Sequence, residues 1–349
     1  MRQKLVLASV IVILTTSVSM LMPAFAISWS EHEKRLTTHV GFDGLPSITV
    51  TSDGKIWAVW TRCVEYQDFN LYYKNSSDAG ASWSDETALT TDPSVDASPS
   101  ICQVANGTVW VVWSSDRTGD WDLYYKTSFD GGWSWSNDTR LTDDPDFDKL
   151  PSITQTDDGN VWVVWSSDRF GDDDIFYNVY NGSSWSGDMR LPTSTDLDTD
   201  PSVLQTFDHR IWIFWQSRAP TATSATDDIY YKYSLDDGAT WSESIQFTID
   251  INDDWWTCTA QSSDRTMWVI WSSDRPDGTD WDVYCRTSIV GDVNEDGRVD
   301  IRDLVMIAMV CWSGEGDPGY DPDLDLNGDG WIDIRDLSII GRNYGKTDS

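Results

Sequence analysis

The sequence predicts an all-β protein, a five-bladed β-propeller, followed by a small α-helical tail. Three observations predict it. The pattern Ile/Val/Met-Trp-x-x-Trp recurs at Trp57/Trp60, Trp110/Trp113, Trp162/Trp165, Trp212/Trp215 and Trp268/Trp271, at intervals of 53, 52, 50 and 56 residues. Periods of roughly 40 to 50 residues, built from short strands and turns, mark small sheets packed in a ring. The fifth copy stops after its third strand, Asp282 to Ser288, while Trp29-Ser30 to Leu36-Thr37 matches the fourth-strand segments Trp83-Ser84 to Leu89-Thr90 and Trp135-Ser136 to Leu141-Thr142. An N-terminal strand is therefore expected to close the last blade. Beyond the repeat, Asp-x-Asn-x-Asp-Gly occurs twice, 33 residues apart.

In chain order, residues 1–26 read as a secretory signal: Arg2 and Lys4, the apolar run Leu5 to Leu14, and the small residues of Ala24-Phe25-Ala26. The apolar run is short for a membrane span and no second one follows, so no span is expected after cleavage. Losing Arg2 and Lys4 leaves 22 basic against 58 acidic side chains, a formal net charge of −36. Such a charge disfavours nucleic acid and anionic membrane as partners and favours an extracellular setting. Cys63, Cys102, Cys258, Cys285 and Cys311 lack the spacing of a disulfide scaffold or a zinc site. Cys258 and Cys285 fall on the first and third strands of one blade, too far apart to bridge easily.

Each repeat in residues 27–288 reads as four strands. The first opens on Pro46, Pro99, Pro151 or Pro201, with Thr257 in the fifth copy, where the missing N–H of proline is tolerated. The second carries the Trp pair, whose three-residue interval places the rings on opposite faces, one toward each neighbouring blade. The third runs through segments such as Asp174-Ile175-Phe176-Tyr177, and a turn ending in Trp-Ser leads to the fourth.

Between third and fourth strands lies Ser-x-Asp-x-Gly-x-x-Trp, as Ser76/Asp78/Gly80/Trp83, Ser128/Asp130/Gly132/Trp135 and Ser234/Asp236/Gly238/Trp241. In the third blade it has decayed to Asn181-Gly182-Ser183-Ser184-Trp185. The Asp can accept backbone N–H groups across the turn and Gly can take a positive φ. This is an Asp box, and on it the chain resembles the sialidase-type β-propellers. Ser167-Asp168-Arg169 followed by Asp174-Ile175-Phe176 resembles the blades of TolB-type propellers. Both resemblances imply the same architecture, and neither fixes a chemistry.

The repeat also separates structure from function. Asp43, Asp96, Asp148, Asp198 and Asp254 precede the first strands, Arg62, Arg117, Arg169, Arg218 and Arg275 follow the second, and Asp122, Asp174, Asp228 and Asp282, with Asn70, join the same rim. Five equivalent copies suit a ring of Asp/Arg ties better than one asymmetric active site. Two departures from symmetry mark candidate ligand-binding residues. The fifth blade carries Trp255-Trp256, an aromatic platform suited to a sugar ring, and the first replaces Ser-Ser-Asp-Arg by Thr61-Arg62-Cys63-Val64-Glu65-Tyr66. Glu65 beside Tyr66 is similar to the nucleophile pair of sialidases. The Arg-Ile-Pro entry strand of that family is absent, Gly44, Ala97, Lys149 and Thr199 standing two residues before the prolines. The arginines lie one per blade, so no catalytic residue is assigned.

In residues 289–349 the loops Asp292, Asn294, Asp296, Arg298, Asp300, Asp303 and Asp325, Asn327, Asp329, Trp331, Asp333, Asp336 occupy positions 1, 3, 5, 7, 9 and 12 of an EF-hand-like Ca²⁺ loop. Position 7 supplies its backbone carbonyl, and Gly297 or Gly330 makes the sharp turn. A helix is expected after each loop, Leu304 to Val310 and Leu337 to Asn343. Two such loops with single following helices resemble a dockerin, which implies two bound Ca²⁺ ions and a cohesin-like protein partner. Ile301-Arg302 and Ile334-Arg335 stand where that family places recognition residues. Dockerin-bearing chains imply a glycan-directed role, a glycoside hydrolase in polysaccharide breakdown or a non-catalytic binding or structural surface propeller.

Overall fold

The computed structural model describes residues 35–349 apart from 66–67, 194–196, 219–225, 250–251, 264, 275–280, 295 and 348–349. The chain divides into two compact units, residues 1–38 and 39–349. The described residues of the first, 35–38, have no regular structure. The signal segment and most of the expected closing strand, from Trp29, lie outside the described residues.

Among the described residues the second unit holds five antiparallel blade sheets and one short two-stranded ribbon. Blade one is β1 (Asp43–Val50), β2 (Ile56–Glu65), β3 (Asp68–Ser76) and β4 (Thr87–Ala88). Blade two is β5 (Asp96–Gln103), β6 (Val109–Ser115), β7 (Asp122–Ser128) and β8 (Thr139–Arg140). Blade three is β9 (Asp148–Gln155), β10 (Val161–Ser167), β11 (Asp174–Tyr180) and β12 (Met189–Arg190). Blade four is β13 (Leu197–Gln205), β14 (Ile211–Arg218), β15 (Asp227–Ser234) and β16 (Ile245–Gln246). Blade five is β17 (Asp254–Gln261), β18 (Met267–Ser273) and β19 (Asp282–Thr287). Each is a meander in sequence order, and the first strands of successive blades pack on one another, which makes them innermost. The protein is a five-bladed propeller.

Why the Trp pair repeats is visible at the seams. The first Trp of one blade shares an apolar cluster with the second Trp of the next: Trp57 with Trp113, Trp110 with Trp165, Trp162 with Trp215. Between blades four and five, Trp212 lies against the cluster of Phe214, Val269 and Trp271. On the other face of blade five, Trp268, Ile270 and Val283 are exposed, and no cluster of described residues covers them.

Two details differ from expectation. The first strands begin at the rim Asp, or one residue before it in blade four, three residues ahead of the Pro or Thr, and a bulge breaks the register between them, as between Thr199 and Ser202. The fourth strands pair over two residues only. The Trp-Ser segment ahead of them is held by the turn instead, Ser84 N donating to Asn75 O at 2.8 Å. The five cysteines are free, and Cys258 and Cys285 both pair with Ile270 from opposite sides.

The Ser-x-Asp-x-Gly-x-x-Trp turns close as their chemistry requires. Asp130 accepts from Ser134 N at 2.9 Å and from Ser134 Oγ at 2.5 Å, while Ser128 Oγ accepts from Gly132 N at 2.8 Å. The Ser134 and Ser128 hydrogen bonds hold the Asp130 carboxyl down at about 2. Gly132 has φ 88°, and a Cβ there would lie 2.0 Å from Trp57 of the preceding blade, a fully buried ring. Gly132→Ala is expected to cost about 2–5 kcal/mol, combining left-handed strain with overpacking. Gly159→Ala, at φ 86° in open space, tests the backbone part alone. Urea unfolding of the pair should show Gly132→Ala as clearly the worse.

In the tail, α1 (Ile301–Val310) and α2 (Ile334–Asn343) pack over Val299, Ile307, Leu324, Ile332 and Ile340, beside the short ribbon β20 (Ser313–Gly314) and β21 (Trp331–Ile332). Both helices start three residues earlier than expected because Asp300 and Asp333 are N-caps. Asp303 and Asp336 complete the capping boxes.

Candidate functional site

The rim is built from the same parts in each blade. The second Trp donates its indole N–H to the rim Asp: Trp60 to Asp43 at 3.1 Å, Trp113 to Asp96 at 3.0 Å, Trp165 to Asp148 at 2.8 Å, Trp215 to Asp198 at 2.9 Å and Trp271 to Asp254 at 3.1 Å. In blades one to three an Arg pairs with that Asp, Arg62 at 2.6 Å, Arg117 at 2.9 Å and Arg169 at 2.7 Å. The same guanidinium reaches an acid ahead of, or at the start of, the outermost strand: Glu86 at 2.6 Å, Asp138 at 2.9 Å, Asp188 at 3.0 Å. It also lies over an aromatic ring of the third strand, 4.3 to 4.4 Å from the centroid. The ties thus run from inner to outer strand within one blade.

Blade four departs, Arg218 pairing with Asp227 at 2.6 Å rather than with Asp198. Arg275 lies outside the described residues. Of the third-strand acids, Asp122 pairs with Arg140 and Asp174 with Arg190, at 2.8 and 2.6 Å. Among the described residues Asp228 is held only by Gln246 and Thr248, and burial, with Asp254 and Asp227 nearby, pushes its carboxyl up to about 6.

Blade five supplies the aromatic feature. Trp255 and Trp256 are joined by Trp281, with ring centroids 5.5 Å (Trp255 to Trp256), 4.5 Å (Trp255 to Trp281) and 5.6 Å (Trp256 to Trp281) apart. Trp255 donates its indole N–H to Asp227 of blade four at 2.5 Å. Trp256 is 57% and Trp281 41% exposed. The sequence reading missed Trp281. Its signal is Trp121, which also directly precedes a third-strand Asp.

The first-blade loop continues its hairpin instead of breaking at the rim, since β2 runs to Glu65 and pairs it with Asp68. The Glu65 side chain and all of Tyr66 lie outside the described residues. The structure therefore brings Trp255 and Trp256 together and leaves the first-blade pair undescribed.

In the tail, Asp292 accepts from Gly297 N at 2.8 Å, and Asp303 takes Val293 N, Asn294 N and Asp300 N at 3.0, 3.2 and 2.7 Å. Asp325 and Asp336 repeat this with Gly330 N at 2.8 Å and with Asn327 N and Asp333 N at 3.1 and 2.8 Å. Arg302 pairs with Asp296 at 2.6 Å and Asp300 at 2.8 Å, and Arg335 with Asp329 and Asp333. Among the described residues no three acidic side chains converge as a cation cage, because they are turned to backbone N–H groups and guanidinium. The donors nonetheless fit a hard cation. Burial and the neighbouring Asp303 and Asp296 raise the Asp292 carboxyl, and Asn327 Nδ2 is buried without a partner, so an amide turned over would offer its oxygen. Ile301, Arg302, Ile334 and Arg335 all project into solvent, 56 to 61% exposed.

This tail also touches the blade turns: His209 Nε2 is 2.9 Å from Gly328 O, Arg210 pairs with Asp323, and Arg265 donates to Leu326 O.

The family model of the dockerin type I domain matches residues 290–343. The tail is thus a type I dockerin, a class of domain that binds calcium. The propeller is similar to a protein of unknown function from Dyadobacter fermentans (14% identity, 70% of this chain and 78% of that one, TM-score 0.57). It is similar also to an α-L-arabinanase of Penicillium chrysogenum solved with arabinobiose (15%, 68% and 80%, TM-score 0.53). A mutant NanB sialidase of Streptococcus pneumoniae matches at 11% identity, over 66% of this chain and 56% of that one, with a TM-score of 0.51. At these identities the likeness establishes the propeller fold. No curated protein matches the chain. No helix among the described residues is long and apolar enough to cross a membrane.

Proposed function

We propose that this is a secreted, glycan-directed propeller that its dockerin attaches to a cohesin-bearing scaffold or cell surface beside polysaccharide-degrading partners. The observation that carries the glycan reading is the exposed Trp255/Trp256/Trp281 cluster of blade five, on a rim whose aspartates are ion-paired in blades one to three. Its mixed tilted and edge-on rings give an open aromatic face of the kind that packs on the C–H face of a sugar. The fold likeness to an arabinanase and a sialidase, both acting on glycans by name, supports the same class of ligand and makes glycoside hydrolysis the first activity to assay.

A second reading, a non-catalytic binding or structural propeller, is favoured by the rim itself, where Asp43, Asp96 and Asp148 are all consumed by Arg and Trp partners. Retention and turnover on arabinan, sialosides and other polysaccharides separate the two. Trp256→Ala should weaken retention about tenfold, the worth of one good aromatic contact with its buried area. Unchanged retention would remove the platform from the site.

In the dockerin, Asp292, Asn294, Asp296, Asp300 and Asp303, with the carbonyl of Arg298, would hold one Ca²⁺. Asp325, Asn327, Asp329, Asp333 and Asp336, with the carbonyl of Trp331, would hold a second. The ions would supply the charge that lets each acidic loop close without self-repulsion. Ile301-Arg302 and Ile334-Arg335 are then presented to the cohesin from the first turns of the two helices.

A further inference from the structure

The five innermost strands share one device. Leu45, Ser98, Leu150, Asp200 and Trp256, each just before the Pro or Thr that continues the strand, all have left-handed φ between 52° and 57°. At each of them the register with the second strand shifts, so the residue stands outside the ladder. Hydroxyls of the preceding blade fix three of the bulges: Ser98 N donates to Thr61 Oγ1 at 3.1 Å, Leu150 N to Ser114 Oγ at 3.1 Å and Asp200 N to Ser166 Oγ at 2.9 Å.

None of the five residues is buried, although the rim Asp two positions earlier is fully buried in blades two to five. The five positions form one ring of equivalent residues on the innermost strands, in which Asp200 and Trp256 belong to adjacent blades whose strands β13 and β17 pack on each other.

Within that ring Asp200 is the ionisable member. The rim aspartates all accept a Trp indole N–H, and those of blades one to three an Arg as well, but Asp200 makes no side-chain hydrogen bond or ion pair among the described residues. Crowding by protein pushes its carboxyl up to about 7, while the residue stays partly open to solvent. A carboxyl in this state has both oxygens available, on a backbone already locked in place. One carboxyl is too few for a cation that takes six to eight oxygens. Vicinal hydroxyls suit it, because two O–H groups match its two oxygens.

We propose that Asp200 is the polar anchor of the saccharide site, its carboxyl group bridging neighbouring hydroxyls of a sugar ring that stacks on Trp256. The proposal rests on the glycan reading and adds to it the residue that orients the ring. Affinity electrophoresis and tryptophan-fluorescence titration of the full Ca²⁺-loaded chain test it, with arabino-oligosaccharides, arabinan and sialyllactose as probes. Asp200→Ala should weaken binding about tenfold or more, the scale of a lost charge-assisted hydrogen bond. Asp200→Asn keeps a residue at ease in the left-handed region, so it should fold and still bind more weakly than the wild type. Ser98→Ala, at the equivalent bulge, should stay within about twofold. If the wild type and Trp256→Ala differ but both Asp200 variants match the wild type, the anchor is wrong and the glycan reading stands. If the wild type binds none of the probes, both fall.

Discussion

Replacing Asp148 by Ala should destabilise the propeller by about 4 kcal/mol or more. Asp148 is fully buried and takes Arg169 through both oxygens, at 2.7 and 2.9 Å, together with the indole N–H of Trp165 at 2.8 Å. Removing it leaves a largely buried guanidinium without its main counter-charge, a loss of about 3–5 kcal/mol, and an indole N–H without an acceptor. The two losses share one site and will not simply add. Asp172→Ala, two residues before β11 and exposed, should change stability by no more than about 0.5 kcal/mol. At about 2–4 °C per kcal/mol the first variant should melt some 8–16 °C lower. Equal melting temperatures would mean that the rim ties contribute nothing and that these carboxylates are free for another task.

The second large effect is expected in the dockerin. Its core is five buried apolar residues, too few to hold so small a segment by themselves. Removing Ca²⁺ with a chelator should abolish hydrogen-exchange protection in residues 290–343 and leave the propeller strands protected. Asp303→Ala should do this for the first half even in Ca²⁺, because that side chain accepts three backbone N–H groups and also closes the capping box of α1. Calorimetry on the full chain should then show two Ca²⁺ sites in the wild type and one in the variant. Protection indifferent to the chelator would overturn the view that metal binding and folding are one event here.

Much of the fold was legible because repetition makes one physical solution visible five times. The Trp-x-x-Trp pairs gave blade number and faces, and the four seams from blade one through blade five bury them as expected. Bulges were not legible: Leu45, Ser98, Leu150, Asp200 and Trp256 have no residue type in common, and none is glycine. Their left-handed backbone is imposed by packing between blades and by hydroxyls such as Ser166 that lie some 34 residues away in sequence. Trp281 was passed over for a similar reason, since nothing in its strand shows that it will meet Trp255 at 4.5 Å.

By itself the sequence determined the architecture, the duplicated acidic loops and the suspicion that the rim is structural. Each of these depends on local spacing, which chain geometry converts directly into strand, turn or loop. Tertiary structure decided which carboxylates are already used. The Arg of blades one to three spans from inner to outer strand, and Arg218 abandons that pattern for Asp227. Among the described residues Asp200 is left unpaired, on the strand that packs against the one carrying Trp256, because pairing depends on which side chains converge after the blades have packed.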